Sequence, residues 1–150
     1  MADYYGVQAT KTLTPTGANI VAAGLLGGRV RCMIDTYEAA AEASGSTIQM
    51  GQALPVGAHV VGVILGHDAL GSATIAIGDA DLATRYLDAT SVSSAGLLTN
   101  FTDGDNVDGL GYAVLGTGAT ASADDTKILL TVGSAAITGT LVLIVLYTVD

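Results

Sequence analysis

Residues 128–149 read ILLTVGSAAITGTLVLIVLYTV, a stretch of 22 residues without a charge. As a single helix this stretch would be about 33 Å long, enough to cross a bilayer. However, Gly133-Ser134 and Thr138-Gly139-Thr140 divide it, and Val, Ile and Thr are abundant in it. Because β-branched residues favour strands and glycine favours turns, the stretch predicts two strands joined by a turn rather than a membrane helix.

The second of these strands, residues 141–149, is apolar at consecutive positions and so on both of its faces. A strand of this kind is buried on both sides. We therefore expect it to lie either inside a sandwich or beneath another subunit, and Val145 and Tyr147 become candidate contacts with a neighbour.

The rest of the chain repeats short strand patterns between turn residues. One example is the alternation in GRVRCMIDTYE, which predicts that Val30, Cys32 and Ile34 face the core. Residues 29, 31, 33 and 35 then fall on the opposite face. Further runs include STIQMG, AHVVGVIL, SATIAIGD, GYAVLG and KILLTVG. This spacing predicts an all-β, single-domain β-sandwich, jelly-roll-like, over residues 29–150.

Residues 1–28 have a weaker pattern, interrupted by Gly17, Gly24, Gly27 and Gly28. We interpret them as an extended N-terminal arm or an irregular edge segment. An ordinary leader strand is the alternative. The first residues, MADYYGVQAT, lack the basic and apolar regions of a signal peptide.

Composition limits the classes of partner. The 150 residues are 50% hydrophobic and only 13% charged, which indicates that a partner subunit covers some of the surface. A net charge of −9 repels phosphate backbones, and the five cations form no run. We therefore expect no nucleic-acid partner and no membrane partner. The single cysteine, Cys32, cannot form an intrachain disulfide, which fits assembly in a reducing compartment.

One segment, TDGDNVDG at residues 102–109, has the composition of a calcium loop. An EF-hand loop needs an oxygen ligand at its fifth position, Gly at its sixth and Glu at its twelfth. Counted from Asp103, these positions hold Val107, Asp108 and Val114. The prediction is a polar turn without a metal, and Asp103, Asp105 and Asp108 remain only weak candidate ligands.

No pattern indicates an enzyme or a cofactor. Asp79, Asp81 and Asp88 lie around Arg85 and could serve acid–base chemistry, but turn chemistry explains them as well. The two histidines, His59 and His67, would be roughly 27 Å apart along an unbroken strand and are expected near solvent at strand ends. Nucleophile motifs and a P-loop are also missing.

Several segments together resemble the head cement or decoration proteins of tailed bacteriophages. These segments are MADYYG, GGRVRCMIDTYE, IQMGQALPVGAHVVGVIL, ATIAIGDADLATRYL and LVLIVLYTVD. The resemblance extends over most of the chain and implies a jelly-roll-like fold, a homodimer or homotrimer, and no catalytic residues. It also implies a role on the outer surface of the virion capsid, against the major capsid protein, after assembly in the host cytoplasm.

We expect the capsid or oligomer contacts to include the arm residues Tyr4 and Tyr5 and the positive residues Arg29 and Arg31, besides Val145 and Tyr147. The alternative function is a glycan- or receptor-binding β-sandwich of a virion. The chain has no Trp and one Phe, so it offers few aromatic platforms for a glycan. A hydrolase that uses the aspartates is the third hypothesis.

Overall fold

The computed structural model describes residues 29–100, 113–114 and 126–149. Every regular element in these ranges is a β-strand, and none of them is a helix long and apolar enough to cross a membrane. The strands are β1 (Arg31–Glu42), β2 (Thr47–Met50), β3 (His59–His67), β4 (Thr74–Gly78), β5 (Leu87–Ser91), β6 (Gly96–Thr99), β7 (Ala113–Val114), β8 (Ile128–Gly133) and β9 (Ile137–Thr148).

The strands form two antiparallel sheets. One has the order β1-β9-β3-β6, with β7 also paired to β3, and the other has the order β2-β8-β4-β5. The pairs β1–β9, β2–β8, β3–β6 and β4–β5 are nested, so the chain is one long antiparallel ribbon that is wound on itself. Winding brings β3 beside β9 and β4 beside β8. This arrangement is a jelly roll, and it confirms the predicted all-β sandwich.

Residues 128–149 form two strands joined by a turn, as their sequence predicts. The turn contains Ser134, which has a φ of 64°, and the N–H of Ala135 donates to the carbonyl of Gly133. β8 and β9 belong to different sheets, so this turn connects the two layers of the sandwich.

The core lies between the two sheets. On β9 the inward side chains are Leu141, Leu143 and Val145, each at most 1% exposed. From the other sheet Ile75, Ile77, Ile128 and Leu130 are fully buried. Removing these side chains from water is the main source of stability for a fold that contains no disulfide among its described residues.

The predicted orientation of β1 is wrong. Ile34 is 65% exposed, Val30 is 56% exposed and Cys32 is exposed, whereas Met33 and Tyr37 pack against the core. The side chains of β1 do alternate between two faces, but both faces carry apolar residues. An aspartate, Asp35, stands on the inward side because its carboxylate accepts the N–H of Gly51 (2.5 Å).

The connection between β4 and β5 is a rigid turn built on Asp79, which is 5% exposed. One carboxylate oxygen of Asp79 accepts the N–H groups of Asp81 (3.1 Å) and Leu82 (2.9 Å). The other oxygen accepts the Nε–H of Arg85 at 2.5 Å. The acidic residues near Arg85 therefore include a structural ion pair, in agreement with the turn interpretation.

The two histidines stand at the first and last positions of β3, as expected. Their predicted exposure is wrong, because each is only 9% exposed. The opposite ends of one strand hold them, so they do not share a site.

Candidate functional site

The outward side of the five-stranded sheet is apolar. Its residues align in three cross-strand rows, which we call the outer apolar face. The rows are Cys32–Leu146–Gly62, Ile34–Ile144–Ile64–Thr99 and Thr36–Val142–Gly66–Leu97. None of these residues is charged, and β1, β9, β3 and β6 each contribute to the rows.

Two side chains project most strongly from this face. Leu97 is 73% exposed and Ile34 is 65% exposed, at opposite edges of the sheet. Between them Val142, Ile144 and Leu146 of β9 and Ile64 of β3 are half-buried. From the strand spacing and the rise per residue, the eleven positions of the three rows cover on the order of 350 Å² of sheet, although Gly62 is buried and two of the positions are threonines. An apolar patch of this size is comparable to the largest patch on a typical monomer, which is often functional.

A polar border closes one end of the outer apolar face. The Thr140 hydroxyl donates to the Glu38 carboxylate (2.8 Å), and the Thr140 N–H donates to the Asp68 carboxylate (2.9 Å). Thr140 and Glu38 are the cross-strand pair two positions beyond Val142 and Thr36. An apolar patch with a polar rim is the usual anatomy of a protein–protein interface.

The predicted contact residues lie in different places. Arg29 and Arg31 are exposed at the start of β1, and Arg31 is the cross-strand partner of Tyr147. Tyr147 is half-buried and packs against the core. Val145 is 0% exposed in the core of its own chain and cannot touch a neighbour directly. Tyr4 and Tyr5 lie outside the described residues.

The predicted contact set omitted the outer apolar face. The signal was present in residues 141–149, where every second residue, from Val142 to Leu146, faces outward although it is apolar. The same signal occurs at Val30, Cys32 and Ile34. These apolar residues alternate as a core-facing row would, yet their own chain leaves all three exposed.

No metal centre is found in the part of the chain that the structure describes. There, no group of three or more His, Cys, Asp or Glu residues could hold a metal ion. Asp103, Asp105 and Asp108 lie outside the described residues, so their role stays a prediction.

Chains from two phage capsids are among the solved structures that are similar in fold. No protein-family model matches the chain, and no curated protein matches it. A chain of the "Cyanophage Pam1 capsid asymmetric unit" superposes with a TM-score of 0.63 and 26% identity, over 83% of this chain and 87% of that one. A chain of the "Capsid of Ralstonia phage GP4" gives a TM-score of 0.54 and 18% identity, over 89% and 93%.

The second likeness shows the fold alone. Both likenesses confirm the sandwich, and the first, at 26% identity, supports the coarser part of the functional prediction, a structural protein associated with a phage capsid. They do not distinguish a cement or decoration protein from other capsid components.

Proposed function

We propose that this protein binds the outer surface of a phage capsid and decorates or cements the shell of the major capsid protein. The observation that carries the proposal is the outer apolar face, an uncharged sheet surface with Leu97 and Ile34 exposed. Cementing needs adhesive area across neighbouring subunits, and it needs no catalytic group.

The size of the face indicates how much it contributes. If a partner buries an equal area, about 700 Å² leaves water, which corresponds to about 17 kcal/mol gross at 25 cal/mol per Å². Association costs about 4–15 kcal/mol, so the net gain lies anywhere between about 2 and 13 kcal/mol. An area of this size is also below the roughly 1,200 Å² of a stable interface. Further contacts are therefore part of the proposal.

We assign the further contacts to the N-terminal arm and to the arginines. Tyr4 and Tyr5 would add apolar area with a hydrogen-bonding tip, and Tyr147 lies beside Arg31 at the start of β1. Arg29 and Arg31 are exposed, and a guanidinium binds a carboxylate bidentately. Self-association into a homodimer or homotrimer would multiply all of these contacts.

The charge of the chain favours the outside of the shell. A net charge of −9 is repelled by packaged DNA, so the outer capsid surface suits this protein better than the inner one. The proposed location is the virion, after assembly in the host cytoplasm.

Binding to empty capsids tests the proposal. Purified protein is titrated onto capsids of the same phage that lack it, and occupancy is measured after sedimentation. We expect saturable binding at a fixed number of copies and a higher melting temperature of the capsid. Absence of binding at micromolar protein would refute the proposal.

Two variants test the assigned contacts. Deletion of residues 2–14 should weaken binding without unfolding the sandwich. The double variant Arg29→Ala/Arg31→Ala should weaken binding further and reduce its salt dependence, because exposed charges are screened by salt. Full occupancy by both variants at physiological salt would place the contacts elsewhere.

A further inference from the structure

One edge of β1 has no strand partner. β1 is 12 residues long and pairs with β9 on one side, and no strand within the described ranges pairs with its other side. A free edge exposes a row of backbone donors and acceptors to pairing with another extended chain. What can pair there depends on which residues direct their N–H and C=O groups away from β9.

The backbone of β9 shows which residues of β1 bond to it. Thr140 of β9 donates its N–H to the Asp68 carboxylate (2.9 Å) and accepts the N–H of Asp68 (3.1 Å), so the backbone of Thr140 faces β3. Backbone groups alternate between the two sides of a strand, so Val145, five positions later, faces β1. Its partner Met33 therefore bonds to β9, and the two residues beside Met33 face the free edge.

A second pair of hydrogen bonds agrees with this orientation. On β3 the N–H of Val63 donates to the Asn100 side chain (3.0 Å), and the carbonyl of Val63 accepts the N–H of Asn100 (3.4 Å), so Val63 faces β6. Ile64 then bonds to Ile144 of β9, whose backbone is turned away from its other partner, Ile34. The free edge is therefore formed by the even-numbered residues around the start of β1, which are Val30, Cys32 and Ile34.

Asp35 limits the free edge. Its Oδ1 accepts the N–H of Thr36 (2.8 Å), the next donor after Ile34 on this side, and its Oδ2 accepts the N–H of Gly51 (2.5 Å). An inward charge of this kind is a common device that stops the addition of further strands. A partner strand can therefore bond from Val30 to Ile34 and no further.

We propose that a second copy of this chain pairs with this edge, antiparallel and about a two-fold axis at Cys32. Val30 then lies opposite the partner's Ile34, and the two Cys32 residues lie opposite each other. In each of these opposed pairs the residues exchange both N–H···O bonds, so the register uses every free group from Val30 to Ile34. The inference specifies the second copy and the edge for the self-association in the proposed function, and it rests on that part of the proposal.

Charge complementarity supports this register. Residues equally far from Cys32 are opposed, so Arg29 lies opposite the partner's Asp35, and the axis repeats the contact. Opposite charges at directly opposed positions stabilise a pair of strands. A groove of about 700 Å³ lies on the same side of the edge, lined in part by Met33, Asp35 and residues 51–55. The groove leaves space for these long side chains beneath the paired strands.

The two neighbouring registers are less favourable. With the axis at Arg31, the two arginines lie directly opposite each other, and like charges in this position destabilise a sheet. With the axis at Met33, Val30 lies opposite the partner's Thr36, whose N–H is already bonded to Asp35. The proposed axis avoids both conflicts.

Edge pairing joins the outer apolar faces of the two copies. Cys32 and Ile34 belong to that face, so the two faces lie on the same side of one continuous sheet, and a dimer presents twice the apolar area to a capsid. The paired strands are only about 17 Å long, which buries less than the roughly 1,200 Å² of a stable interface. We therefore expect a weak dimer in solution.

The native Cys32 tests the position of the axis. The Cα atoms of a hydrogen-bonded pair are about 5.5 Å apart, within the range of a disulfide. Diamide, which takes up the two thiol hydrogens, should convert the wild type to a disulfide-linked dimer on non-reducing electrophoresis. The matched control is Cys32→Ser/Ile34→Cys. Its thiol lies on the same exposed face but about 14 Å from the equivalent thiol, and the control should cross-link at least about tenfold more slowly.

Two variants that keep Cys32 test the backbone pairing and the charge. Ile34→Pro removes an N–H that faces the free edge, so it should fold and cross-link at least about tenfold more slowly. Its control, Met33→Pro, removes an N–H that bonds to β9 and should lower the melting temperature. Arg29→Glu brings a negative charge beside the partner's Asp35, and it should also slow cross-linking without altering the melting temperature.

The proposal is overturned if the wild type forms no dimer, if Cys32→Ser/Ile34→Cys cross-links as fast, or if Ile34→Pro and Arg29→Glu leave the rate unchanged. The assay contains no capsid, so its result is separate from the capsid titration. Capsid binding without cross-linking would refute the edge-paired dimer alone. Cross-linking without capsid binding would refute the capsid role and leave the dimer in place.

Discussion

The outer apolar face can be tested at Leu97 with little disturbance of the fold. Leu97 is 73% exposed, so Leu97→Asp should change the free energy of unfolding by less than about 1 kcal/mol. Complete burial of a leucine side chain contributes about 1.5–3 kcal/mol, and the exposed fraction leaves about 1.5 kcal/mol for a partner to gain. Burial of a carboxylate in the same contact would cost at least about 2 kcal/mol more.

The expected loss at Leu97 is thus about 3.5 kcal/mol, or a several-hundredfold increase in the Kd for capsids. Occupancy titration gives the Kd, and thermal unfolding monitored by circular dichroism checks the fold. The matched control is Val56→Asp, because Val56 is 69% exposed, lies between β2 and β3 and is outside the face. Equal binding by the two variants would refute the assignment of the outer apolar face as the contact surface.

Three further outcomes are expected. Val145→Asp should prevent folding or lower the free energy of unfolding by several kcal/mol, because Val145 is 0% exposed, and a soluble variant with a wild-type melting curve would contradict this. Excess chelator should leave the melting temperature unchanged, and a drop that calcium restores would show that Asp103, Asp105 and Asp108 bind metal. Tyr86→Phe should stabilise the fold by up to about 1 kcal/mol, because the Tyr86 hydroxyl is buried without a hydrogen-bond partner in the described residues.

The contribution of Tyr86 to the free energy of unfolding depends on pH. Burial, with the nearby Asp79 charge, raises the pKa of Tyr86 above its ordinary 10.0. The folded protein then keeps a proton that the unfolded chain loses, so the wild type loses stability as pH rises above 10. Denaturant unfolding at pH 9 and pH 11 should show a smaller loss for Tyr86→Phe, and equal losses would exclude this role of Tyr86.

The sequence predicted the fold class because turn residues divide the apolar runs at regular intervals. Residues 128–149 were assigned correctly because Gly133 and Gly139 interrupt them and β-branched residues surround them. Strand order could not be predicted in this way. It depends on pairings between distant residues, such as Arg31 with Tyr147, which local patterns do not encode.

The orientation of β1 failed for a different reason. The pattern of Val30, Cys32 and Ile34 has the hydrophobicity of a core face, and local hydrophobicity does not say whether the same chain or a neighbour covers it. The inward Asp35 made the true core face look polar, because its hydrogen bond to Gly51 cannot be read from the sequence. The sequence pattern therefore indicated residues 141–149 as a candidate contact strand. The predicted contacts on it were Val145 and Tyr147, rather than the outward Val142, Ile144 and Leu146.

The position of β9 has a consequence for biosynthesis. β9 follows every other described strand in the chain, yet it lies between β1 and β3 in the sheet. While the ribosome is still making β9, β1 lacks its strand partner among the described residues, and β3 is paired only on the side of β6 and β7. The five-stranded sheet can therefore be completed only after β9 has been translated. Nascent chains should consequently need protection from aggregation until β9 has left the exit tunnel.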